Sequence, residues 1–373
     1  MAWAIGANDV ANAMGTSLGS GAITIGGAVL IAGIFEFAGA ILAGGHVTDT
    51  VRKGMLDLEV VALNGDLLAH GMLASLAAAA TLLVAATFWG MPVSTTHSIV
   101  GAIVGFGAVG LGLDAVAWGK VLQIVFSWVT SPLLGGLLAF LTFMLIRFLI
   151  LDREHPMENA RRYGPFFFFF VFFIIGLVTL FKGLRNMGLD YDLAGAILRS
   201  TLLGLIGAGV GWIFVRRVHG QPGDNRDDEF ASTERVFVVL QILTACAVCF
   251  AHGSNDVANA IGPLAAVVNV AQGAAVGEKA SLAPWMLVVG GAGIVIGLAT
   301  WGYRVMETVG RRITPHTPSR GFAAVLAAST TIVVASRLGI PVSTTHIIVG
   351  AVLGVGLARG IAALDLRVVR NIV

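Results

Sequence analysis

The sequence predicts an all-α integral membrane protein, and three observations support this: an apolar composition, a long charge-free stretch and an internal duplication. Of the 373 residues, 57% are hydrophobic and 12% are charged, and the mean hydropathy is +0.88. Residues 67–113 run for 47 positions without an Asp, Glu, Lys or Arg, whereas one spanning helix needs about 20 apolar residues. Because lipid offers no partners to backbone N–H and C=O groups, the spans must be helices.

Charged residues divide the chain into apolar blocks, which predict roughly ten to twelve membrane segments, some of them broken or re-entrant. The candidate spans are 10–35, 67–90, 91–113, 121–146, 163–181, 193–215, 236–252, 257–277, 280–303, 321–336 and 338–358. Arginines cluster in the connections 147–162 and 216–235. Two crossings separate these connections, so both fit the cytoplasmic side.

The composition disfavours two classes of function. The 23 basic and 21 acidic residues nearly cancel, so a basic nucleic-acid surface is not expected. Cys246 and Cys249 form a C-x-x-C inside an apolar run, and we interpret them as small helix residues rather than a redox or metal pair.

The duplication is the most informative feature. Residues 6–13 (GANDVANA) recur as residues 253–260 (GSNDVANA), an offset of 247, and residues 92–97 (PVSTTH) recur unchanged as residues 341–346, an offset of 249. We call these the Asn-Asp motif and the Ser-Thr-Thr motif. Duplication with interrupted apolar segments at matching positions is typical of secondary transporters, whose site lies at the repeat interface.

The duplication also predicts the domain organisation. Residues 1–113 form the first repeat, 114–235 connecting transmembrane segments, and 236–373 the second repeat. The second Asn-Asp motif follows 17 charge-free residues, whereas five residues precede the first. We therefore expect an incomplete first half-helix and a natural chain extending about ten to fifteen residues upstream, enough to complete a span.

The Asn-Asp motif has the donor types of a cation site. Its polar residues stand at i, i+1 and i+4, so one helix face presents a carboxylate and amides. A charged Asp in hydrocarbon needs a partner or water, and oxygen ligands suit hard cations better than zinc. Interhelical hydrogen bonding is the structural alternative. The candidate cation ligands are Asp9, Asn12, Asp256 and Asn259.

The Ser-Thr-Thr motif predicts a helix start at membrane depth. Proline favours a first turn and hydroxyls cap free N–H groups, so such a start can bind an anion without a full positive charge. His97 and His346 have either a structural role or a role in ligation or proton transfer. The candidate anion-binding residues are Ser94, Thr95, Thr96, Ser343, Thr344 and Thr345, together with Asn8 and Asn255 of the Asn-Asp motifs.

These four motif copies resemble those of the PiT family of inorganic phosphate transporters, which includes the sodium–phosphate symporters of animals. With the glycine-rich flanks 15–27 and 350–356, the resemblance covers nearly the whole chain. It implies inverted-topology repeats, phosphate transport with Na⁺ or H⁺ as the coupling ion, and alternating access. We also expect a multi-pass protein of the cell membrane in contact with the lipid bilayer and no other cofactor, and the oligomeric state, monomer or homo-oligomer, is open.

Three alternatives stay open from the residues alone. Another oxyanion such as sulfate would fit the same helix starts, although sulfate cannot donate a hydrogen bond to a carboxylate as phosphate can. An intramembrane enzyme would use Asp and His as acid and base, but the sequence lacks an H-E-x-x-H pattern, and its polar motifs are duplicated, which is rare for a catalytic centre. A channel is the third. Whether Glu36 and Gln241, which lie in apolar runs, take part is also open.

Overall fold

The computed structural model describes residues 1–44, 55–56, 65–180, 192–218, 226–273, 283–312, 317–337 and 342–360. Within these ranges the chain is helical apart from turns and one isolated β-bridge between Leu56 and Val116. The helices are α1 (Ala2–Asn8), α2 (Val10–Gly19), α3 (Ile25–Ala43), α4 (Gly65–Phe88), α5 (Thr95–Phe106), α6 (Trp118–Ile146), α7 (Pro156–Val178), α8 (Leu193–Arg217), α9 (Arg226–Ala271), α10 (Pro284–Glu307), α11 (Pro318–Arg337) and α12 (Thr344–Arg359).

Eight of the described helices, α3, α4 and α6–α11, are long and apolar enough to cross a bilayer. Two shorter apolar segments, Thr95–Leu111 and Thr344–Arg359, contain α5 and α12. Large apolar side chains such as Leu202 and Ile206 of α8 are exposed, as expected for a surface that faces lipid. The prediction of an all-α multi-pass membrane protein is confirmed.

Two of the predicted span boundaries are wrong. The block 10–35 is interrupted between Gly19 and Ile25, where Gly21 adopts φ +74° and Thr24 caps α3 by accepting from the N–H of Gly27. Conversely, the block 236–252 and residues 257–271 of the next block belong to one helix, α9, which continues through the second Asn-Asp motif; residues 274–277 of that block lie outside the described residues. Asn and Asp do not break this helix because neighbouring side chains bind their polar atoms.

The helix that follows each Asn-Asp motif packs against the other repeat. Helix α3 of the first repeat packs on α9, whereas α10 of the second repeat packs on α1. The motif glycines allow this contact: a Cβ at Gly253 would lie 2.2 Å from the carbonyl oxygen of Glu36, and one at Gly6 would lie 1.8 Å from that of Ile294. Small residues at helix crossings are the usual means of close approach in membranes.

The predicted connecting segment supplies α6, α7 and α8, which surround this core. Helix α6 packs on α12 and α11, and α7 packs on α8 and α9. The aromatic run 166–170 on α7 packs as predicted for an apolar helix, with the ring of Phe167 against those of Phe237 and Phe322. The C-x-x-C lies on α9 with both thiols free and Cys249 buried.

The close α3–α9 crossing generates a stability prediction. A Cβ at Gly39 would lie 2.1 Å from the carbonyl oxygen of Phe250, so Gly39→Ala should push the helices apart and destabilise the protein by about 1–3 kcal/mol. Thermal unfolding in detergent measures this. Gly209→Ala on α8 is the matched control, because nothing lies within 4 Å of its Cβ position. It should leave stability unchanged or slightly raised; equal losses in both variants would contradict the packing account.

Candidate phosphate and cation site

Both Ser-Thr-Thr motifs begin a helix, as predicted. The Ser94 hydroxyl accepts from the backbone N–H of His97 at 3.2 Å, and Ser343 accepts from that of His346 at the same distance. Each serine is therefore the N-cap of its helix, α5 or α12. The following threonines occupy the first turn, where backbone N–H groups have no partner within the helix.

All but one of the predicted site residues are buried. Asn255 is half-buried, and the other members are at most 5% exposed: Asn8, Asp9, Asn12, Ser94, Thr95, Thr96, Asp256, Asn259, Ser343, Thr344 and Thr345. Burial of this many polar groups at the centre of a membrane protein costs free energy unless each finds a partner.

Asp9 is held by hydroxyls from both repeats. Thr95 donates to Asp9 Oδ2 at 2.6 Å, and Thr345 donates to Asp9 Oδ1. Asn12 donates from Nδ2 to Asp9 Oδ1 at 2.9 Å and to Thr345 Oγ1 at 3.0 Å. The first Asn-Asp motif thus contacts the Ser-Thr-Thr motifs of its own repeat and of the other.

The second repeat makes the matching contacts. Thr344 donates to Asp256 Oδ2 at 3.3 Å, and Asn259 Nδ2 donates to Asp256 Oδ1 at 3.1 Å and to Thr96 Oγ1 at 3.3 Å. By the motif offsets, the contact from Asn259 to Thr96 is the counterpart of the contact from Asn12 to Thr345. Such reciprocity characterises a two-fold interface.

Asn8 and Asn255 use their amides differently. Asn8 Nδ2 donates to Thr87 Oγ1 and to the Met91 carbonyl, both at 2.9 Å, while Asn8 Oδ1 accepts from the N–H of Val93 at 2.9 Å. It therefore fastens the segment that leads into α5. Asn255 Nδ2 donates to Asp256 Oδ1 at 3.3 Å.

His252 and Glu36 also lie at the candidate site; the sequence left the role of Glu36 open and did not single out His252. His252 Nδ1 lies 3.0 Å from Glu36 Oε2, and His252 Nε2 lies 2.6 Å from Asp256 Oδ2 and 3.6 Å from Asp9 Oδ2. All four side chains are buried. The histidine therefore joins the two motif aspartates to a third carboxylate on α3.

This polar pair breaks the symmetry of the repeats. By the offset of 247, Ile5 stands where His252 does, and Ile294 approaches Gly6 as Glu36 approaches Gly253. Both isoleucines are fully buried. The signal that could have found the pair was present in the sequence: a histidine four residues before Asp256, one helical turn away, without a counterpart before Asp9.

Asp9, His252 and Asp256 could together hold a metal ion. The ligand atoms that Asp9, His252 and Asp256 offer all lie within 4.8 Å of one another. Asn12 Oδ1 is buried beside them without a hydrogen-bond partner among the described residues. An oxygen-rich set of this kind suits a hard cation, and a carboxylate such as Glu36 on the far ring nitrogen orients a ligating histidine.

His97 and His346 meet at the repeat interface. Their rings lie edge to face with centroids 4.4 Å apart, and the His97 ring also lies 3.7 Å from that of Trp128. The two histidines are counterparts by the motif offset, so the contact joins the two helix starts. A structural role and a role in ligation or proton transfer both stay predictions for these two histidines.

A multi-pass helical fold with a buried polar site between two repeats is the architecture of a secondary transporter. The chain belongs to the phosphate transporter family, whose model matches residues 5–373. It is therefore a transporter and not an enzyme.

Individual relatives match over the whole chain. A Haemophilus influenzae protein named as a phosphate permease is 48% identical over 375 residues, covering 100% of this chain and 89% of the relative. The chloroplastic inorganic phosphate transporter 2-1 of Arabidopsis thaliana is 43% identical, covering 100% and 67%. A solved structure titled "The sodium-dependent phosphate transporter" aligns with a TM-score of 0.90 at 43% identity, covering 100% of this chain and 90% of that one.

The His252–Glu36 contact generates a double-mutant prediction. Glu36→Gln and His252→Gln each weaken the same 3.0 Å contact, so their effects on the free energy of unfolding should fall short of additivity by about 0.5–3 kcal/mol. Chemical unfolding in detergent gives the free energy of unfolding of the unmodified protein, the two single variants and the double variant. The control pairs Glu36→Gln with the exposed Asp114→Asn, which should add within about 0.5 kcal/mol. Additivity in both cycles would refute an energetic link between the two side chains.

Proposed function

We propose that the chain carries inorganic phosphate across the membrane together with a cation, by alternating access of a site shared by its two repeats. The observation that carries the proposal is the reciprocal binding of Asp9 and Asp256 by hydroxyls and amides of the Ser-Thr-Thr and Asn-Asp motifs. Na⁺ is the first candidate for the cation, because the similar solved structure is titled as sodium-dependent; H⁺ is the second.

Phosphate would bind between the starts of α5 and α12. Thr95, Thr96, Thr344 and Thr345 offer hydroxyl protons there, Ser94 and Ser343 keep a hydroxyl proton while capping, and first-turn N–H groups add donors. No Lys or Arg occurs within the four motifs. The anion would therefore be held by neutral donors, which bind it without the large energy of a buried ion pair.

The cation would bind at Asp9 with Asn12 and at Asp256 with Asn259, where His252 and Glu36 complete the polar surroundings. A hydroxyl has one proton to donate, and Thr95 and Thr345 now donate theirs to Asp9. A cation that takes the place of these hydroxyls at the carboxylate frees them to donate to phosphate. This exchange of partners gives a direct physical coupling between the two ligands.

Several contacts make the site dependent on both repeats. The bonds from Asn12 to Thr345 and from Asn259 to Thr96 cross between residues 1–113 and 236–373, the proposed repeats, while residues 114–235 connect them. Movement of one repeat against the other would open either side of the site in turn. Asn8 would act behind the site as a positioning residue, because its amide is used on the segment before α5. We place the protein in the cell membrane.

Uptake of radiolabelled phosphate into proteoliposomes, with Na⁺ and pH gradients imposed separately, tests the proposal. Saturable uptake driven by a cation gradient is expected, with Na⁺ more effective than H⁺. Uptake that does not saturate would indicate a channel instead. Competition by excess sulfate tests sulfate as the second candidate substrate. Equal uptake of sulfate and phosphate would contradict a selectivity for phosphate that is based on its hydrogen bonding to the two aspartates.

Removal of either motif charge should break cation coupling. Asp9→Asn and Asp256→Asn keep the side-chain volume but remove the charge that makes cation binding favourable in a low-dielectric site. The half-saturating cation concentration should rise by roughly 5- to 150-fold, with a matching loss of phosphate affinity because coupling is reciprocal. Uptake measured against cation concentration shows both effects. The exposed Asp66→Asn is the control, and normal cation dependence in both motif variants would refute the assignment.

The hydroxyls should contribute directly to phosphate affinity. Thr96→Val and Thr345→Val keep the shape and delete a donor, so phosphate affinity should fall by about 1–3 kcal/mol. Thr130→Val is the matched control, because its hydroxyl is exposed and bonded to the Phe126 carbonyl of its own helix. Phosphate uptake measured against phosphate concentration gives the affinity of each variant. Unchanged affinity in both site variants would leave the threonines with a structural role only.

A further inference from the structure

Polar side chains continue along α2 beyond the proposed site. Asn12, Thr16, Ser17 and Ser20 follow Asp9 at helical spacing. Asp9, Asn12, Thr16 and Ser20 fall within about 80° around the axis, and Ser17 lies about 60° beyond Ser20. Asn12, Thr16 and Ser17 are at most 1% exposed. From Asp9 to Ser20 the rise is about 16 Å, which is half of a typical hydrocarbon core.

Polar atoms on this face lack partners. Asn12 Oδ1, Thr16 Oγ1 and Ser17 Oγ are buried and have no hydrogen-bond partner among the described residues. Hydroxyls in membrane helices ordinarily donate to a carbonyl of the preceding turn, as Ser329 and Thr331 of α11 do here. Leaving a buried polar atom unpaired costs about 1–3 kcal/mol, so a row of them indicates a surface that binds a ligand in another state.

The row ends at Gln241 of α9. The Ser20 hydroxyl donates to Gln241 Oε1 at 2.8 Å, while Gln241 Nε2 is buried without a partner among the described residues. The side chain passes a glycine of α11: a Cβ at Gly321 would lie 1.9 Å from Gln241 Nε2. The fold therefore accommodates the Gln241 amide next to the end of α2.

No such row exists in the second repeat. By the offset of 247, Pro263, Leu264 and Val267 stand where Thr16, Ser17 and Ser20 do. The site is symmetric at Asn12 and Asn259, and the two halves diverge immediately beyond it. A requirement of helix packing would apply to both repeats, so the polar row serves something that happens on one side of the site only.

We propose that Asn12, Thr16, Ser17, Ser20 and Gln241, which we call the α2 polar file, are the route by which the coupling cation passes between the site and one face of the membrane. The inference rests on the proposed cation-coupled transport. Hydroxyl and amide oxygens are ligands for hard cations, and no group in the file carries a charge that would trap a cation. In this conformation the file is closed, because Asn12, Thr16, Ser17 and Gln241 are at most 1% exposed.

Cysteine accessibility tests the route without depending on transport. In a background with Cys246→Ala and Cys249→Ala, the variants Thr16→Cys, Ser17→Cys and Ser20→Cys are treated in proteoliposomes with a small cationic methanethiosulfonate reagent from either side. Thiols that remain are counted with a maleimide after denaturation. Leu18→Cys is the matched control, since it lies on the opposite face of α2 and is 5% exposed, and Leu264→Cys is the repeat counterpart of Ser17.

We expect all three file thiols to react from the same side of the membrane and from that side only. Their reaction rates should be at least about tenfold higher than that of Leu18→Cys, because thiol reactivity requires access to water. Na⁺ with phosphate should slow the reaction at Thr16→Cys. Rates equal to that of Leu18→Cys would overturn the route, as would equally fast reaction of Leu264→Cys. Phosphate uptake by the background protein is measured in parallel, so failure of the route and failure of the transport function give different results.

A kinetic variant tests the same route with the native cysteines in place. Thr16→Val should lower the maximal uptake rate several-fold and leave half-saturating phosphate within about twofold, because a residue on the route affects passage rather than binding. Gly321→Ala should act similarly by displacing Gln241. A loss of phosphate affinity without a change in maximal rate would place Thr16 in the binding site and contradict the route.

Discussion

The constraint on which the site depends is the burial of one aspartate per repeat with no lysine or arginine of the described residues in an ion pair with it. Asp9 and Asp256 are at most 1% exposed, and among the described residues the ion-pair partner within reach of both is His252. A carboxylate in hydrocarbon is too costly to leave unsatisfied. Threonine hydroxyls and asparagine amides therefore have to converge on it, and they can do so only if the Ser-Thr-Thr helix starts lie against the Asn-Asp helices.

This convergence links the helix packing to the proposed coupling of cation and phosphate. Glycines at the α3–α9 and α1–α10 crossings bring backbones close enough for the motifs to meet. In the proposed mechanism the hydroxyls that satisfy Asp9 are also the donors for phosphate, so binding of the cation at the carboxylate would release them to the anion. A reciprocal coupling free energy would follow from that exchange. The asymmetric His252–Glu36 pair and the α2 polar file make the two repeats chemically different on either side of a symmetric centre.

Sequence patterns predicted this centre and missed its surroundings. Duplicated motifs identify Asp9, Asn12, Asp256, Asn259 and the threonines because repetition in one order at one offset is readable without coordinates. His252 and Glu36 come together only through the α3–α9 crossing, which no local pattern specifies. The helix boundaries failed for a related reason: apolarity cannot show that Asn255 and Asp256 continue a helix, or that Gly21 ends one, because tertiary partners decide whether polar backbone and side-chain groups are satisfied.

Direct binding measurements test the central claim, that cation and phosphate share partners at Asp9 and Asp256. Calorimetric titration of phosphate into the purified protein, at zero and saturating Na⁺, gives one coupling factor, and titration of Na⁺ with and without phosphate gives the other. The shared-partner account predicts two equal factors of roughly 5- to 150-fold, reduced towards one in Asp9→Asn. Phosphate affinity that is independent of every cation tested, Na⁺ and H⁺ included, would contradict it.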